Sequence, residues 1–319
     1  MNPVVLHEEQ IRNLAGMSPQ AMQTVAEGFI RLSAGDVNLP PVLRIDFPQV
    51  QGEVDVKTAV VQGWDSFAIK VASGFFQNNT LGLPTGNGLM LVLSAVTGKP
   101  QAILLDNGYL TDLRTGLAGA LAAQVLAPQH PVVGVIGSGT QARFQIRALN
   151  LVRSFNELHI YGIDPQSVNT YAQEMTKELD IPVIVHENPR SLVEQCTLVI
   201  TTTPSHIPYL KADWLHPGLH ITSMGADAPH KQELDAEVFR GMDIIVCDAR
   251  QQCAQLGELH HALHEGILPD LSQVWELGEL LAGTQPGRMS EEQITLCELT
   301  GLGVQDTAIA RYVLHQSRL

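Results

Sequence analysis

Residues 132–152 read VVGVIGSGTQARFQIRALNLV, which sets Gly137-Ser138-Gly139-Thr140-Gln141-Ala142 between a β-branched apolar run and an amphipathic stretch. In a G-x-G-x-x-A segment so placed, the first glycine permits a tight turn out of a strand and the second lets the backbone approach a pyrophosphate. The small third residue lets the following helix pack closely on the strand. The helix N-terminus then presents unpaired N–H groups and a partial positive charge to the anion. The pattern alone also occurs in structural turns, so its setting decides the reading. Here it opens a series of alternating strand and helix signals, and Gly137, Ser138, Gly139, Thr140, Gln141 and Ala142 are expected to cradle the phosphates of a dinucleotide.

From residue 131 onward, short β-branched runs at 132–137, 157–162, 181–186, 197–203, 219–225 and 243–248 alternate with helical stretches. That alternation predicts βα units and a doubly wound parallel sheet, a Rossmann domain over residues 119–301. The chain before it has a different texture. A helix is expected over 18–35, followed by strand-like VDVKTAVV, SFAIKVASGF, GLMLVLSAV and QAILLD, with a hairpin turn at 96–101. These segments read as antiparallel. A helix over 110–128, capped by Thr111, should join the two halves, and a last helix over 303–319 should return to the first. The expected fold class is α/β, with the Rossmann domain joined to a smaller mixed α+β domain built from residues 1–118 and 302–319.

The net charge of −14 and the pI near 5.2 leave no basic face of the kind nucleic-acid binding needs. No stretch reaches the roughly 18 to 20 apolar residues of a membrane span, and the N-terminus lacks a basic flank before an apolar core. A cytoplasmic protein with neither nucleic-acid nor membrane partners is expected. Cys196, Cys247, Cys253 and Cys297 form no CxxC pair and have no histidine at zinc-finger spacing, so buried free thiols and no metal are expected. His260 and His261 are read as structural.

In an NAD enzyme the second strand of such a domain ends near an acidic residue that bonds the adenosine ribose, whereas an arginine there accepts a 2′-phosphate. Here Asp164 follows Tyr161-Gly162-Ile163, with no Arg or Lys close behind. NAD is favoured and NADP stays open. The alternative role for Asp164 is to cap the next helix, with Pro165 at its first position.

Several segments in this order resemble the ornithine cyclodeaminase and mu-crystallin family, and within it the ectoine-utilisation branch. They are PPVLRIDFP, VDVKTAVV, FAIKVASGF, GLPTGNGLMLVLSAVTGKPQAILLDNGYLTDLRTGLAGALAA, IGSGTQARFQI, SMGADAPHKQELD, LGELHHAL and TGLGVQDTAIA. The resemblance implies a homodimer in which a Rossmann domain holds NAD(P) and the domain built from both termini carries the dimer contacts and most substrate ligands. It implies cyclodeamination of diamino acids, reduction of ketimines, or dehydrogenation and reductive amination of open-chain amino acids. A non-catalytic module that binds a ligand or the cofactor is a different class that the resemblance also allows.

By that resemblance Arg44, Lys70 and Arg114 are carboxylate ligands, and a guanidinium suits a carboxylate through two parallel hydrogen bonds. Lys70 also stands out without it, as one charge inside an apolar run. Such a lysine either meets an anion or points to water. The resemblance makes Asp227, after the fifth strand, a catalytic acid near the substrate nitrogen, with Lys70 beside it in catalysis; capping of its own turn is the other role for Asp227. Lys231 and Glu233 are expected to hold that loop. Asp55, on one strand face with Lys57, is a candidate ligand for a distal amine, or part of an ordinary solvated face. Thr115, Thr202, Met224, Gly225 and Val304 are carried over as cofactor contacts, the segment TGLGVQD approaching the nicotinamide through its backbone. Leu299 departs from the serine that relatives often carry there, which weakens that last transfer.

Overall fold

The computed structural model describes residues 3–318. The chain divides into two units, one made of the residues up to Arg114 together with those from Leu302 onward, the other Thr115–Gly301. The first begins with β1 (Val4–His7), α1 (Glu8–Leu14) and α2 (Pro19–Ser33), continues through β2 (Val37–Asn38) and β3 (Leu43–Phe47), and then through β4 (Gly52–Val61), β5 (Ser66–Phe75), β6 (Gly86–Ser94) and β7 (Pro100–Leu105). Ser18 caps α2 by accepting the Ala21 N–H, and Pro19 takes the first helical position, where no amide hydrogen is needed. The strands order as β1-β7-β6-β5-β4-β2, with β3 also on β4. β4 to β7 are antiparallel as their alternation predicts, whereas β1 pairs in parallel with β7.

Helix α3 (Tyr109–Leu126) contains the boundary between the units. Its cap corrects the sequence reading. The Asp106 carboxylate accepts the Leu110 N–H at 2.8 Å, so Thr111 lies inside the first turn rather than capping it.

The second unit is a βα series: β8 (Val133–Ile136), α4 (Thr140–Leu149), β9 (Leu158–Tyr161), α5 (Pro165–Leu179), β10 (Val183–Val185), α6 (Pro189–Val193), β11 (Leu198–Thr201) and β12 (His220–Ser223). It continues with β13 (Ile244–Cys247), α7 (Arg250–Cys253), α8 (Gly257–His264), β14 (Val274–Glu276), α9 (Leu277–Leu281) and β15 (Thr295–Glu298). All eight strands pair in parallel, in the order β10-β9-β8-β11-β12-β15-β13-β14. This is the doubly wound arrangement, and the strand order reverses between β8 and β11, where open α/β sheets bind ligands. β14 and β15 escape the sequence reading. All four cysteines are buried free thiols.

Helix α10 (Gly303–Gln316) closes the first unit by packing on α2, β4 and β5. The Thr307 hydroxyl donates to the Ala59 carbonyl of β4 and accepts the Ala68 N–H of β5, which ties the helix to both strands. Ala59, Ala68, Met90, Val92, Ala102 and Leu104 are buried on this covered face. Strand residues alternate between faces, so the opposite face carries Leu43, Ile45 and Leu89, all exposed, with the half-buried Val54, Val56 and Val71 between them.

Candidate active site

In the first unit, register places Lys57 of β4 directly opposite Lys70 of β5, both buried on the helix-covered face. Two like charges so placed repel, and burial adds a desolvation cost to each. The compensation comes from α10. Asp306, fully buried, sets one oxygen 2.8 Å from Lys70 Nζ and accepts a hydrogen bond from Arg114 Nε on the other at 2.9 Å. Arg114 also donates to Gln305 Oε1, which in turn accepts the Leu302 N–H. Burial works against ionisation of Asp306, but Lys70 and Arg114 hold its carboxyl below the ordinary aspartate value. Burial pulls Lys70 down to about 7, with Arg114 and Lys57 adding to the fall and Asp306 resisting it.

Asp106 stands in the field of Lys70, and burial raises its carboxyl pKa. Its Oδ1 is buried without a hydrogen-bond partner among the described residues. Lys57, Lys70 and Arg114 all act on Asp306, the last two in direct ion-pair contact. Arg44 is arranged differently: its guanidinium donates to Asp46 and Glu53 and lies 3.5 Å from Asp55, its partner in register across β3 and β4. Burial opposes its charge, yet Glu53 and Asp55 raise its pKa.

In the second unit, Gly137 leaves β8 at φ +108°, a conformation L side chains rarely adopt. A Cβ there would meet Thr202 Oγ1 at 2.6 Å, Thr202 being the residue after β11 across the switch point. Gly139 has an ordinary φ of −82° and opens α4 with no side-chain cap. A Cβ on it would meet nothing within 4 Å. The fold therefore needs Gly137 for its own turn, while the open space at Gly139 and the uncapped helix start fit an incoming phosphate. Ala142 is fully buried against the sheet, the Thr115 carbonyl accepts from Gln145, and Gln145 also donates to Gln141. The Ser138 and Ser167 hydroxyls lie 2.7 Å apart, linking the glycine loop to the start of α5. Asp164 caps that helix by accepting the Gln166 and Ser167 N–H groups. Beside it, Tyr161, Gly162, Ile163, Val185 and His186 contribute to a cavity of about 450 Å³. No lysine or arginine lines it.

The loop after β12 carries Met224, Gly225 and Asp227, and its shape is imposed from below. Lys231, itself buried, is paired to Asp227 at 2.7 Å. Glu233 accepts from the Thr201, Thr203 and Tyr209 hydroxyls and from the Thr203 and Gly225 N–H groups. Glu258 accepts the Glu233 and Leu234 N–H groups, and Glu298, at the end of β15, accepts those of Glu258 and Leu259. Burial and the neighbouring Glu233 raise Glu258 to about 8; burial also raises Glu233 and Glu298. His261 bonds the Lys231 carbonyl and His260 the Ala254 carbonyl. Among the described residues, no group of three or more His, Cys, Asp and Glu is placed to hold a metal ion.

Residues 1–318 match the model of the ornithine cyclodeaminase/mu-crystallin family. The chain belongs to that family. An uncharacterized cyclodeaminase of Sinorhizobium fredii is 44% identical over 308 residues, covering 96% of this chain and 93% of that one. An alanine dehydrogenase of Archaeoglobus fulgidus is 35% identical over 314 residues, covering 98% and 94%. Among solved structures, the Δ1-pyrroline-2-carboxylate reductase of Thermococcus litoralis, in complex with NADH and L-proline, is 28% identical with a TM-score of 0.92, covering 99% of this chain and 97% of that one.

Within this ornithine cyclodeaminase/mu-crystallin chain, Lys70 meets Arg114 through Asp306, and Arg44 meets Asp55. Thr202 adjoins Gly137 across the switch point, and the Gly225 N–H binds Glu233. Val304 is buried in the first unit, its side chain facing Gly28 of α2. Sequence reasoning missed Lys57, Asp106 and Asp306 as members of the cation pocket. The available signal was the one that marked Lys70, an isolated charge among apolar neighbours, and Asp306 in GVQDTAIA carries it too.

Proposed function

We propose that this protein is an NAD-dependent enzyme that transfers hydride at the α-carbon of a small α-imino or α-amino acid, as a ketimine reductase or cyclodeaminase. The observation that carries this reading is the buried meeting of Lys70 and Arg114 on Asp306, with Lys57 opposite Lys70 in register, cations of the kind that hold a substrate carboxylate. The second unit is the cofactor domain. Its glycine loop and α4 N-terminus take the pyrophosphate, with Thr115, Thr202, Met224 and Gly225 as further contacts. The first unit is the substrate domain, and Arg44 with Asp55 borders its carboxylate site. NAD, when bound, supplies or accepts the hydride. Asp227 moves the accompanying proton at the substrate nitrogen, its carboxylate aimed by Lys231 and by the Glu233, Glu258 and Glu298 relay. Asp164, together with a cavity devoid of lysine and arginine, favours NAD over NADP, because a 2′-phosphate would find no cation there.

The exposed Leu43, Ile45 and Leu89 face suits a second copy of this chain, because water-facing apolar sheet surface is stabilised by burial. A homodimer is the proposed assembly. Among the described residues no helix is long and apolar enough to cross a membrane, and four free thiols accord with a reducing, cytoplasmic setting.

The assay that tests the function follows NADH and NADPH absorbance with cyclic ketimines and with pyruvate plus ammonia, alongside ammonia release from ornithine, lysine and 2,4-diaminobutyrate with NAD⁺. Net NADH oxidation identifies a reductase or dehydrogenase, and ammonia release without net redox a cyclodeaminase. Silence in every combination favours a binding protein and overturns the proposal. The 35% identity to an alanine dehydrogenase supports open-chain amino acid dehydrogenation as a second reading; turnover of pyruvate and ammonia, but of no cyclic imine, would select it.

A further inference from the structure

We propose that Asp306 is the positioning residue of the cation pocket: its carboxylate aims Lys70 and Arg114 together and keeps Lys70 in the ammonium form that grips the substrate carboxylate. The proposal rests on the reading that these cations hold a substrate carboxylate.

The geometry gives Asp306 both tasks. Its two oxygens are divided between the two cations, Oδ2 to Lys70 and Oδ1 to Arg114, so one side chain fixes the spacing of the pair. It sits in the first turn of α10, where the helix dipole favours an anion, and that helix is held to β4 and β5 by the Thr307 hydroxyl. The groups facing Lys70 are Lys57 from β4, Arg114 from α3, Asp306 from α10 and Asp106 at the end of β7. Burial and two like charges oppose the ammonium, Asp106 is pushed toward neutrality, and Asp306 is the carboxylate in ion-pair contact.

A consequence follows by linkage. With Lys70 near 7, the grip is full below neutrality and weakens as the pH rises past it. An arriving carboxylate adds to the field of Asp306, so Lys70 takes up a proton as substrate binds. The proton comes from solvent, and no bond to carbon changes in this step.

The chain has six lysines, few enough to titrate one by one. We would label the full-length protein with lysine carrying ¹³C at the ε-carbon, follow the signals against pH by NMR, and assign Lys70 by its loss in Lys70→Arg. The Lys70 signal should titrate near neutrality. In Asp306→Asn it should move down by a unit or more, approaching a tenfold loss of ammonium at pH well above the wild-type midpoint, and in Lys57→Met it should move up. The two variants shift it in opposite directions, which a general loosening of the fold would not do. Should Asp306→Asn fail to fold by circular dichroism, Lys57→Met still decides the sign. Titration of Lys70 near 10, an unchanged midpoint in Asp306→Asn, or a fall in Lys57→Met would overturn the proposal. In kinetics, KM for the imino acid should rise above neutral pH in the wild type and at a lower pH in Asp306→Asn, and the rise should vanish in Lys70→Arg. If no imino or amino acid is turned over, the functional reading fails while the titration still decides the role of Asp306.

Discussion

Replacing Gly139 by serine separates the needs of the fold from those of the cofactor. The structure has an ordinary backbone at residue 139, nothing within 4 Å of the added Cβ, and an uncapped α4. Serine is a better N-cap than glycine by a few tenths of a kcal/mol, so the apo protein should melt within about 1 °C of wild type or slightly above it. The same hydroxyl would occupy the N–H groups and the space that a pyrophosphate requires. For the wild type, NADH at 100 times Kd adds about 2.7 kcal/mol, which is roughly 5 to 10 °C for a domain of this size. A hundredfold weaker Kd at the same concentration leaves about 0.4 kcal/mol, or roughly 1 to 2 °C. Differential scanning fluorimetry with and without NADH reads both quantities, and a fluorescence titration gives Kd directly. Gly137→Ala is the contrasting control. Its positive φ and the approach to Thr202 should cost the apo protein about 2 to 5 kcal/mol before any cofactor is added. Equal NADH-induced shifts in the wild type and Gly139→Ser would refute the pyrophosphate site and return the loop to a structural turn.

Glu258 holds its proton more tightly folded than unfolded, being raised to about 8 from an ordinary 4.5. Its contribution is therefore full below pH 4.5 and is lost as pH rises through about 8, by a few kcal/mol at most. Glu258→Gln should flatten the fall in Tm across that window, and an unchanged slope would remove Glu258 as its source. Asp227→Asn should lower kcat by about 10² to 10⁴ while NADH Kd changes little; near-normal turnover would end its role as proton donor. Ile45→Lys puts a charge on the open sheet face and should yield a monomer by light scattering. A wild type that is itself monomeric would defeat the dimer proposal.

Features with a local physical cause were legible in the sequence. The glycine loop declared itself because turn, helix start and close packing all fall within six adjacent residues. The alternation of β4 to β7 and the βα series were read for the same reason, while β1, β2, β3, β14 and β15 were not read as strands. Thr111 has the look of a cap because it precedes an alanine-rich run, whereas the capping carboxylate of Asp106 lies further back.

The cation pocket was only half legible, because its partners meet through register and chain return. Lys57 faces Lys70 across two strands, and Asp306 reaches Arg114 from 192 residues away. Asp306 and Glu258 share one disguise: each stands in the first turn of a helix, where an acid is ordinary and usually solvated. What set them apart was their surroundings, GVQDTAIA and LGELHHAL, in which no other Asp, Glu, Lys or Arg stands beside the acid. A first-turn acid on a solvated face generally has charged neighbours, while one alone among small and apolar residues is bound for the interior, where it must find a partner or hold its proton. Asp306 does the first with Lys70 and Arg114, and Glu258 does the second beside Glu233. The test that singled out Lys70 in FAIKVASGF therefore applies to acids as well, and in this chain it leads to the Asp306 network of the first unit and to the Glu258 network of the second.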